Sequence, residues 1–167
     1  MVDATPFAKG DEDGSASTSH TALAQPPPAA TRNLWLLLNP RAVADPLLRD
    51  AVCLVRELGH HVEVCPIWEA SQAIRLARVA AESGADVVVA CGGDGTVNEV
   101  VNGMHEANRP DVALGILRFA TANDFARVSG LLGCTVRDLL MYMAQAEPVP
   151  IDVGRVNGRL FLNMASG

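Results

Sequence analysis

The chain has 167 residues, 49% hydrophobic but only 4% aromatic, which suits one domain of ordinary size with a core of small aliphatic side chains. Its formal net charge is −6, and from Arg32 onward 12 arginines stand against 15 acidic residues with no lysine. This balance excludes the basic surface of a nucleic-acid-binding protein, and the missing lysine excludes an ordinary P-loop.

The first 31 residues are rich in Ser, Thr, Ala, Pro and acidic side chains, so residues 1–31 are predicted to form a disordered tail. The N-terminus lacks a secretory signal pattern, and no apolar run is long enough to span a membrane. Four separated cysteines form no CxxC pair, and the four histidines lack metal-ligand spacing. The sequence therefore predicts a cytoplasmic protein with reduced thiols.

After the tail, the hydrophobic pattern alternates between strands and helices. The predicted elements are a strand at 34–38, a helix at 46–58, a strand at 61–67, a helix at 71–83, a strand at 87–90, a helix at 97–105, a strand at 111–117, a helix at 135–147 and a hairpin at 151–165. Asp45 before Pro46 is a typical helix start, and Gly59 and Gly84 are typical helix ends. This order predicts an α/β domain over residues 32–148, with an open parallel sheet and flanking helices. The hairpin, turned at Asn157-Gly158, is expected to open a second, β-rich domain at 149–167 that is cut short.

The fold is organised around a strand at Val87–Ala90 that runs into the glycine-rich sequence GGDGT, residues 92–96. Glycines allow positive φ and close approach of a ligand, so their N–H groups can converge on an anion. Thr96 and Glu99 have the spacing of a capping box, which would start the next helix near Val97 and point its positive end at the turn. The sequence therefore predicts a phosphate-binding loop.

Ligands in an open parallel sheet bind beyond the carboxyl ends of the strands, where three loops lie here, at 39–45, 91–96 and 118–121. The side chains in or beside these loops that suit a nucleotide are Asn39, Thr96, Thr121, Arg118 and Arg127. Each also has a local interpretation, as a turn residue, a cap or a solvated arginine. Taken together, the three loops predict one nucleotide site.

Asp94 has three possible roles in that site. A carboxylate beside a phosphate cradle repels the ligand unless a cation or hydrogen-bond donors intervene. It can bind Mg²⁺ directly or through water, act as a base, or order the loop as a turn residue. The sequence leaves these roles open.

A second motif, TANDFA at residues 121–126, repeats the i, i+3 capping pattern after a strand. With GGDGTVNE at 92–99, DVG at 152–154 and NMASG at 163–167, the chain resembles the diacylglycerol kinase catalytic-domain superfamily, and most of all the bacterial YegS-like lipid kinases. The resemblance extends from about Leu34 to Gly167. It implies transfer of the γ-phosphoryl group of ATP, assisted by Mg²⁺, to a lipid hydroxyl of the diacylglycerol or phosphatidylglycerol type, with peripheral contact at the inner face of the membrane.

By matching positions, the resemblance also implies a set of nucleotide-binding residues. These are Asn39, Cys91, Gly92, Gly93, Asp94, Gly95, Thr96, Val97 and Thr121. In the family, the lipid-facing β-sandwich, a metal site and the proposed general base lie downstream of Gly167, so no catalytic base and no metal ligand is assigned within this chain. If the 167 residues are the whole protein, weak nucleotide binding without lipid phosphorylation is expected.

The chain departs from the family pattern at three places. Arg118-Phe119-Ala120 stands where Pro-Leu-Gly or similar is usual, Ile67 stands where relatives can carry a nucleotide-contacting threonine, and the Ser-Gly often found after Asn-Pro is absent. Two alternatives therefore stay open. One is an NAD kinase relative in which Asp94 binds the ribose, although the 121–126 motif argues against it. The other is a nucleotide-binding fragment without catalysis.

Overall fold

The computed structural model describes residues 30–119 and 134–162 of the chain. Residues 1–29, 120–133 and 163–167 lie outside this description. The predicted disordered tail, the motif at 121–126 with its helix start, and the motif at 163–167 therefore fall largely or wholly outside the described residues.

The described residues alternate between strands and helices as predicted. The strands are β1 (Asn33–Leu38), β2 (His61–Pro66), β3 (Val87–Cys91), β4 (Ala113–Leu117), β5 (Gly154–Val156) and β6 (Arg159–Phe161). The helices are α1 (Pro40–Val43), α2 (Pro46–Glu57), α3 (Gln72–Glu82), α4 (Asp94–Ala107) and α5 (Val136–Gln145). Two predictions were wrong in detail: α1 was expected to be loop, and α4 begins at Asp94 rather than near Val97.

The first four strands form one parallel sheet in the order β2-β1-β3-β4. The chain leaves β1 toward β2 on one side and then crosses back to β3 on the other side of β1. The strand order therefore reverses between β1 and β3, which is where open α/β sheets form a ligand crevice. The predicted α/β fold with a parallel sheet is confirmed.

Helices cover both faces of this sheet, as the continuous apolar strands predict. Successive side chains of a strand point to opposite faces, so Leu36 and Val89 pack against α2 and α5, whereas Leu37 and Val88 pack against α3 and α4. The α3 and α4 face is filled mainly by alanine and valine. Aromatic residues are scarce in the chain, and these small side chains allow the helices to pack close to the sheet.

Local geometry confirms the predicted helix start at Asp45 and the predicted hairpin turn at Asn157-Gly158. The Asp45 carboxylate accepts the N–H groups of Leu47 at 2.8 Å and Leu48 at 3.2 Å, and Pro46 takes the first helical position of α2. Asn157 and Gly158 both have positive φ, as a two-residue hairpin turn requires.

The β5–β6 hairpin docks on α4 instead of joining the parallel sheet. The side-chain amide of Asn102 donates to the carbonyl of Leu160 at 2.9 Å, and the N–H of Leu160 donates to Asn102 Oδ1 at 3.0 Å. The Leu160 side chain is buried in the core beneath α3 and α4. Among the described helices, none is long and apolar enough to cross a membrane.

Candidate nucleotide-binding site

The carboxyl ends of β1, β3 and β4 are tied together at the point where the strand order reverses. Leu38 is in register with Cys91, and the N–H of Asn39 donates to the Cys91 carbonyl at 3.0 Å. The N–H of Gly92 donates to the carbonyl of Leu117, the last residue of β4, at 2.9 Å. The loops after the three strands therefore meet at one edge of the sheet, as the sequence predicts.

Gly92 lies where no side chain fits. A Cβ built on it would lie 2.5 Å from Thr96 Oγ1, 2.8 Å from Thr96 Cβ and 3.0 Å from Asn39 Nδ2. Thr96 and Asn39 therefore close over the backbone of the loop from two sides. The glycine lets two polar side chains from different predicted loops approach each other within one crevice.

Gly93 and Gly95 lie in the opposite situation. A Cβ on either one would have nothing within 4 Å, so the space in front of both residues is open. None of the three loop glycines has positive φ; in the described chain, positive φ among glycines occurs at Gly59, Gly84 and Gly158. The loop therefore does not use the positive φ that glycines allow, whereas the expectation of close approach agrees with the geometry at Gly92.

The N-terminus of α4 faces this open space. The first i to i−4 bond of the helix joins the Val97 N–H to the Gly93 carbonyl at 3.1 Å, which leaves the N–H groups of residues 94–96 without partners inside the helix. Gly93 is the N-cap and has no side chain to satisfy them. A 14-residue helix thus presents its positive dipole end to this space, together with N–H donors that no side chain of the described residues caps.

The predicted capping box at Thr96 and Glu99 was wrong for a specific reason. Because α4 begins at Asp94, Thr96 already lies within the first turn instead of before it. Glu99 Oε1 accepts the N–H of Ser71, from the loop after β2, at 3.3 Å. A carboxylate that could have capped its own helix instead ties that helix to a neighbouring loop.

Asp94 and Arg118 form an ion pair across the site. Arg118 Nη1 lies 2.6 Å from Asp94 Oδ1, joining the loop after β4 to the first turn of α4. The Arg118 side chain is 28% exposed and that of Asp94 is 58% exposed, so the pair lies on the wall of the crevice. The guanidinium compensates the carboxylate that would otherwise repel a phosphate beside it.

Asn39 holds the first loop in a defined shape. Its Oδ1 accepts the N–H of Ala42 at 2.8 Å, so it acts as the N-cap of the short helix α1. The amide of a capping asparagine has two ends, and its Nδ2 end lies beside Gly92. Asn39 therefore caps α1 through its side-chain oxygen and places its amide nitrogen, a hydrogen-bond donor, at the crevice.

Comparison with known proteins agrees with this arrangement. The family model of the diacylglycerol kinase catalytic domain matches residues 33–156. The chain belongs to the diacylglycerol kinase catalytic-domain family. It is 44% identical over 136 residues to a protein named probable lipid kinase YegS-like from Chromohalobacter salexigens, with 80% of this chain and 43% of that protein covered. A probable lipid kinase YegS from Escherichia coli is 38% identical over 134 residues, with 79% and 44% covered. The chain thus spans less than half of the length of these relatives.

Solved structures place the fold in the same family. The crystal structure of a diacylglycerol kinase from Bacillus anthracis superposes with a TM-score of 0.57 at 26% identity, covering 79% of this chain and 48% of that one. Another structure from the same organism gives a TM-score of 0.64 at 27% identity, covering 79% of this chain and 47% of that one.

Two of the nucleotide-binding residues that the family resemblance implies, Cys91 and Val97, are buried beneath the crevice. Cys91 is fully buried, and burial raises the pKa of its thiol far above the ordinary value, so the thiol stays protonated. Its carbonyl is used by the N–H of Asn39. Val97 is also buried. Both residues support the loop from below, while Gly93, Asp94, Gly95 and Thr96 form its accessible surface.

Two of the remaining predicted site residues, Thr121 and Arg127, lie outside the described residues, as does Ala120. The loop at 67–71, between β2 and α3, entered the sequence analysis only through Ile67 and was not one of the three site loops, although β2 also ends at this edge of the sheet, in register with β1. The strand order β2-β1-β3-β4 places this loop beside the other loops, and the sequence alone does not reveal that order. Among residues 30–119 and 134–162, no cluster of three or more acidic, histidine or cysteine side chains is arranged to hold a metal.

Proposed function

We propose that this chain is the nucleotide-binding half of a lipid kinase that transfers the γ-phosphoryl group of ATP to a lipid hydroxyl. The observation that carries the proposal is the uncapped N-terminus of α4, which opens onto the crevice between β1 and β3. Donors of this kind bind phosphate without a lysine, which this part of the chain lacks. Diacylglycerol and phosphatidylglycerol are the proposed classes of acceptor, from the family membership.

The charge in the crevice supports a polyphosphate ligand. The N–H groups at the start of α4, the Asn39 amide and the Thr96 hydroxyl provide neutral donors, and the Arg118 guanidinium provides a cation. Because phosphoryl transfer has a loose transition state, positioning and charge neutralisation supply most of the catalysis. A cradle of backbone and polar side chains is therefore chemically adequate for the nucleotide part of the reaction.

The donor set also suits a magnesium ion that enters with the nucleotide. Mg²⁺ prefers oxygen ligands and is commonly held by one or two carboxylates together with substrate phosphates. Asp94 provides a half-exposed carboxylate at the cradle and would hold the ion together with phosphate oxygens. When bound, the ion neutralises phosphate charge. In this proposal Arg118 turns from Asp94 toward the nucleotide as the ligand enters.

Calorimetry with Mg-ATP tests the cradle directly. Gly93→Trp fills the open space in front of α4, yet its Cβ meets no neighbouring atom and its φ of −89° suits any residue, so the fold should tolerate the change. Glu57→Trp adds the same bulk to an exposed position at the far end of α2 and serves as the control. We expect wild type and Glu57→Trp to bind, and Gly93→Trp to lose binding. Equal heats for all three proteins would contradict the proposed site.

Transfer is tested separately by incubating γ-labelled ATP with mixed micelles of diacylglycerol or phosphatidylglycerol. Label in the lipid that disappears in Gly93→Trp would support the complete reaction. Nucleotide binding without labelled lipid would support the cradle and contradict transfer by these 167 residues alone. In a parallel reaction with NAD as the acceptor, labelled NAD without labelled lipid would favour the NAD kinase alternative.

A further inference from the structure

We infer that Trp68 forms the base-stacking wall of the site, so that the ligand of this crevice is a nucleotide held at both its phosphate and its base. The inference deepens the proposed function and rests on it. Trp68 follows β2 in the loop at 67–71 and is 73% exposed. An indole ring is a large apolar surface with one polar N–H group, and tryptophan is enriched at binding interfaces.

The loop at 67–71 lies at the same edge of the sheet as the phosphate-binding loop. Pro66 is in register with Leu38, which is in register with Cys91. The N–H of Ile67 donates to the Leu38 carbonyl at 2.8 Å and extends this alignment one residue past the strand. Two strand spacings, about 10 Å, therefore separate the end of β2 from the end of β3. A ligand that crosses the end of β1 reaches both loops.

Hydrogen bonds hold the loop in place, so Trp68 is exposed although its backbone is fixed. Gln72 Oε1 accepts the N–H groups of both Trp68, at 2.6 Å, and Glu69, at 3.2 Å. The Ser71 N–H donates to Glu99 of α4 at 3.3 Å. Because the start of α4 forms the phosphate cradle, one helix positions both ends of the proposed ligand. Preorganisation of this kind lowers the entropy lost on binding.

The chemistry of the loop favours a neutral aromatic ring over an anion. Glu69 follows Trp68 directly in the sequence, and residues 67–71 include no arginine, lysine or histidine. A headgroup of an anionic lipid would be repelled by this carboxylate, whereas a purine base carries no net charge. Ile67, next to Trp68, adds apolar surface. It has no hydroxyl that could make a polar contact with the ribose. The base is therefore recognised here by stacking on its face.

The chain offers a spectroscopic test, because Trp35 and Trp68 are its two tryptophans. Trp35 lies half-buried in β1, so Trp35→Phe keeps an aromatic ring in the core and leaves Trp68 as the sole indole. In this background we expect Mg-ATP to quench or shift the emission, while tripolyphosphate, which has no base, binds without this change. Tripolyphosphate that alters the emission as ATP does would overturn the inference.

Affinity provides the second readout in the otherwise wild-type chain. Trp68→Ala should weaken ATP binding by roughly tenfold or more and leave tripolyphosphate affinity unchanged, since base–aromatic stacking is typically worth that much. Trp68→Phe should retain most of the affinity. Tyr142→Ala removes another exposed aromatic ring, 68% exposed on α5, and should bind ATP like wild type.

The outcomes separate the inference from the proposed function. ATP binding that is unchanged in Trp68→Ala overturns the inference and leaves the phosphate cradle standing. Wild-type chain that binds neither ATP nor tripolyphosphate overturns both. Trp68 emission that shifts with phosphatidylglycerol vesicles but not with ATP would mean that the ring meets a lipid surface, and this also overturns the inference.

Discussion

Arg118 and Asp94 meet at 2.6 Å although 24 residues separate them along the chain, because parallel β3 and β4 bring the ends of their loops together. The pair contains both signs of charge that a polyphosphate site needs. Without ligand, each side chain neutralises the other. In the proposed complex, the nucleotide phosphates would pair with Arg118 and the metal ion with Asp94.

Arg118→Gln should weaken Mg-ATP binding by about tenfold, because a hydrogen bond between charged groups typically contributes about 1.5 kcal/mol or more. The free energy of unfolding should change little, since exposed ion pairs contribute about 0–1 kcal/mol. Calorimetry measures the first effect and urea unfolding the second. Arg137→Gln, which removes an exposed arginine from α5, is the control and should bind like wild type.

Asp94→Asn should change the metal dependence of binding in a defined direction. Without Mg²⁺, the variant lacks the carboxylate that repels phosphate, so ATP should bind more tightly than to wild type. With Mg²⁺, the wild type should gain more affinity than the variant, since Asp94 can then hold the ion. Titrations with and without EDTA measure both effects. An identical response to Mg²⁺ in the two proteins would leave Asp94 with the role of a loop-ordering residue.

Gly92→Ala should destabilise the fold by about 1–3 kcal/mol, the usual cost of inserting atoms into a packed site. The new Cβ would overlap Thr96 and press on Asn39, so the crevice itself must widen. Gly93→Ala is the matched control, because its Cβ meets no atom within 4 Å. Urea midpoints compare the two variants. Equal stability of both would mean that the loop can shift freely around Gly92.

Much of the fold, and the meeting of the three predicted loops at one edge of the sheet, were predictable because their causes are local in sequence. Apolar runs mark the strands, Asp45 before Pro46 marks a helix start, and Asn157-Gly158 marks a hairpin turn. The convergence of the glycine loop with Asn39 follows from the rule that parallel strands end at one edge. These signals need no knowledge of which strand lies beside which.

The features that were missed depend on tertiary neighbours or on very short elements. Helix α1 has only four residues and too little length to show a helical period. Glu99 has the right spacing for a capping box, but Ser71 uses its carboxylate. The contact of Arg118 with Asp94 and the position of Trp68 follow from strand order. Spacing alone does not reveal which donor another loop will bring to a carboxylate.

Two glycines in α4 should respond to alanine with opposite signs. Gly103 packs against α3, and a Cβ there would press into the carbonyl of Ile74 and lie 2.8 Å from the Cβ of Ala77. Backbone cannot yield as a flexible side chain does, so Gly103→Ala should cost about 3 kcal/mol, the upper part of the usual range. Gly95→Ala faces open space in the first turn of the same helix and should stabilise the fold by about 0.4–1 kcal/mol, because alanine lowers the conformational entropy of the unfolded chain.

Urea unfolding of the two variants beside wild type measures this difference. If Gly103→Ala were as stable as wild type, α3 and α4 would be able to separate at their crossing, and the close helix packing described here would be wrong.

The last prediction concerns acid stability through Asp111, at the start of the segment leading into β4. Arg109 donates to both of its carboxylate oxygens, from Nε at 2.9 Å and from Nη2 at 2.7 Å. The hydrogen bond from this guanidinium is the main cause that lowers the pKa of Asp111 to about 2, below the ordinary value of about 3.9. Because the folded pKa is lowered, the contribution to stability is present above about pH 4 and is lost as the pH falls toward about 2.

Asp111→Asn should therefore be less stable than wild type near neutral pH, with a difference that shrinks as the pH falls from about 4 to about 2. The effect should be small, since both partners are exposed and solvent screens the pair. Urea midpoints across this range measure it, and Arg109→Gln should show the same dependence because it removes the other half of the pair. Asp50→Asn, at an exposed position on α2, is the control. A constant difference between wild type and Asp111→Asn at every pH would show that the aspartate acts through shape or local hydrogen bonding and not through its charge.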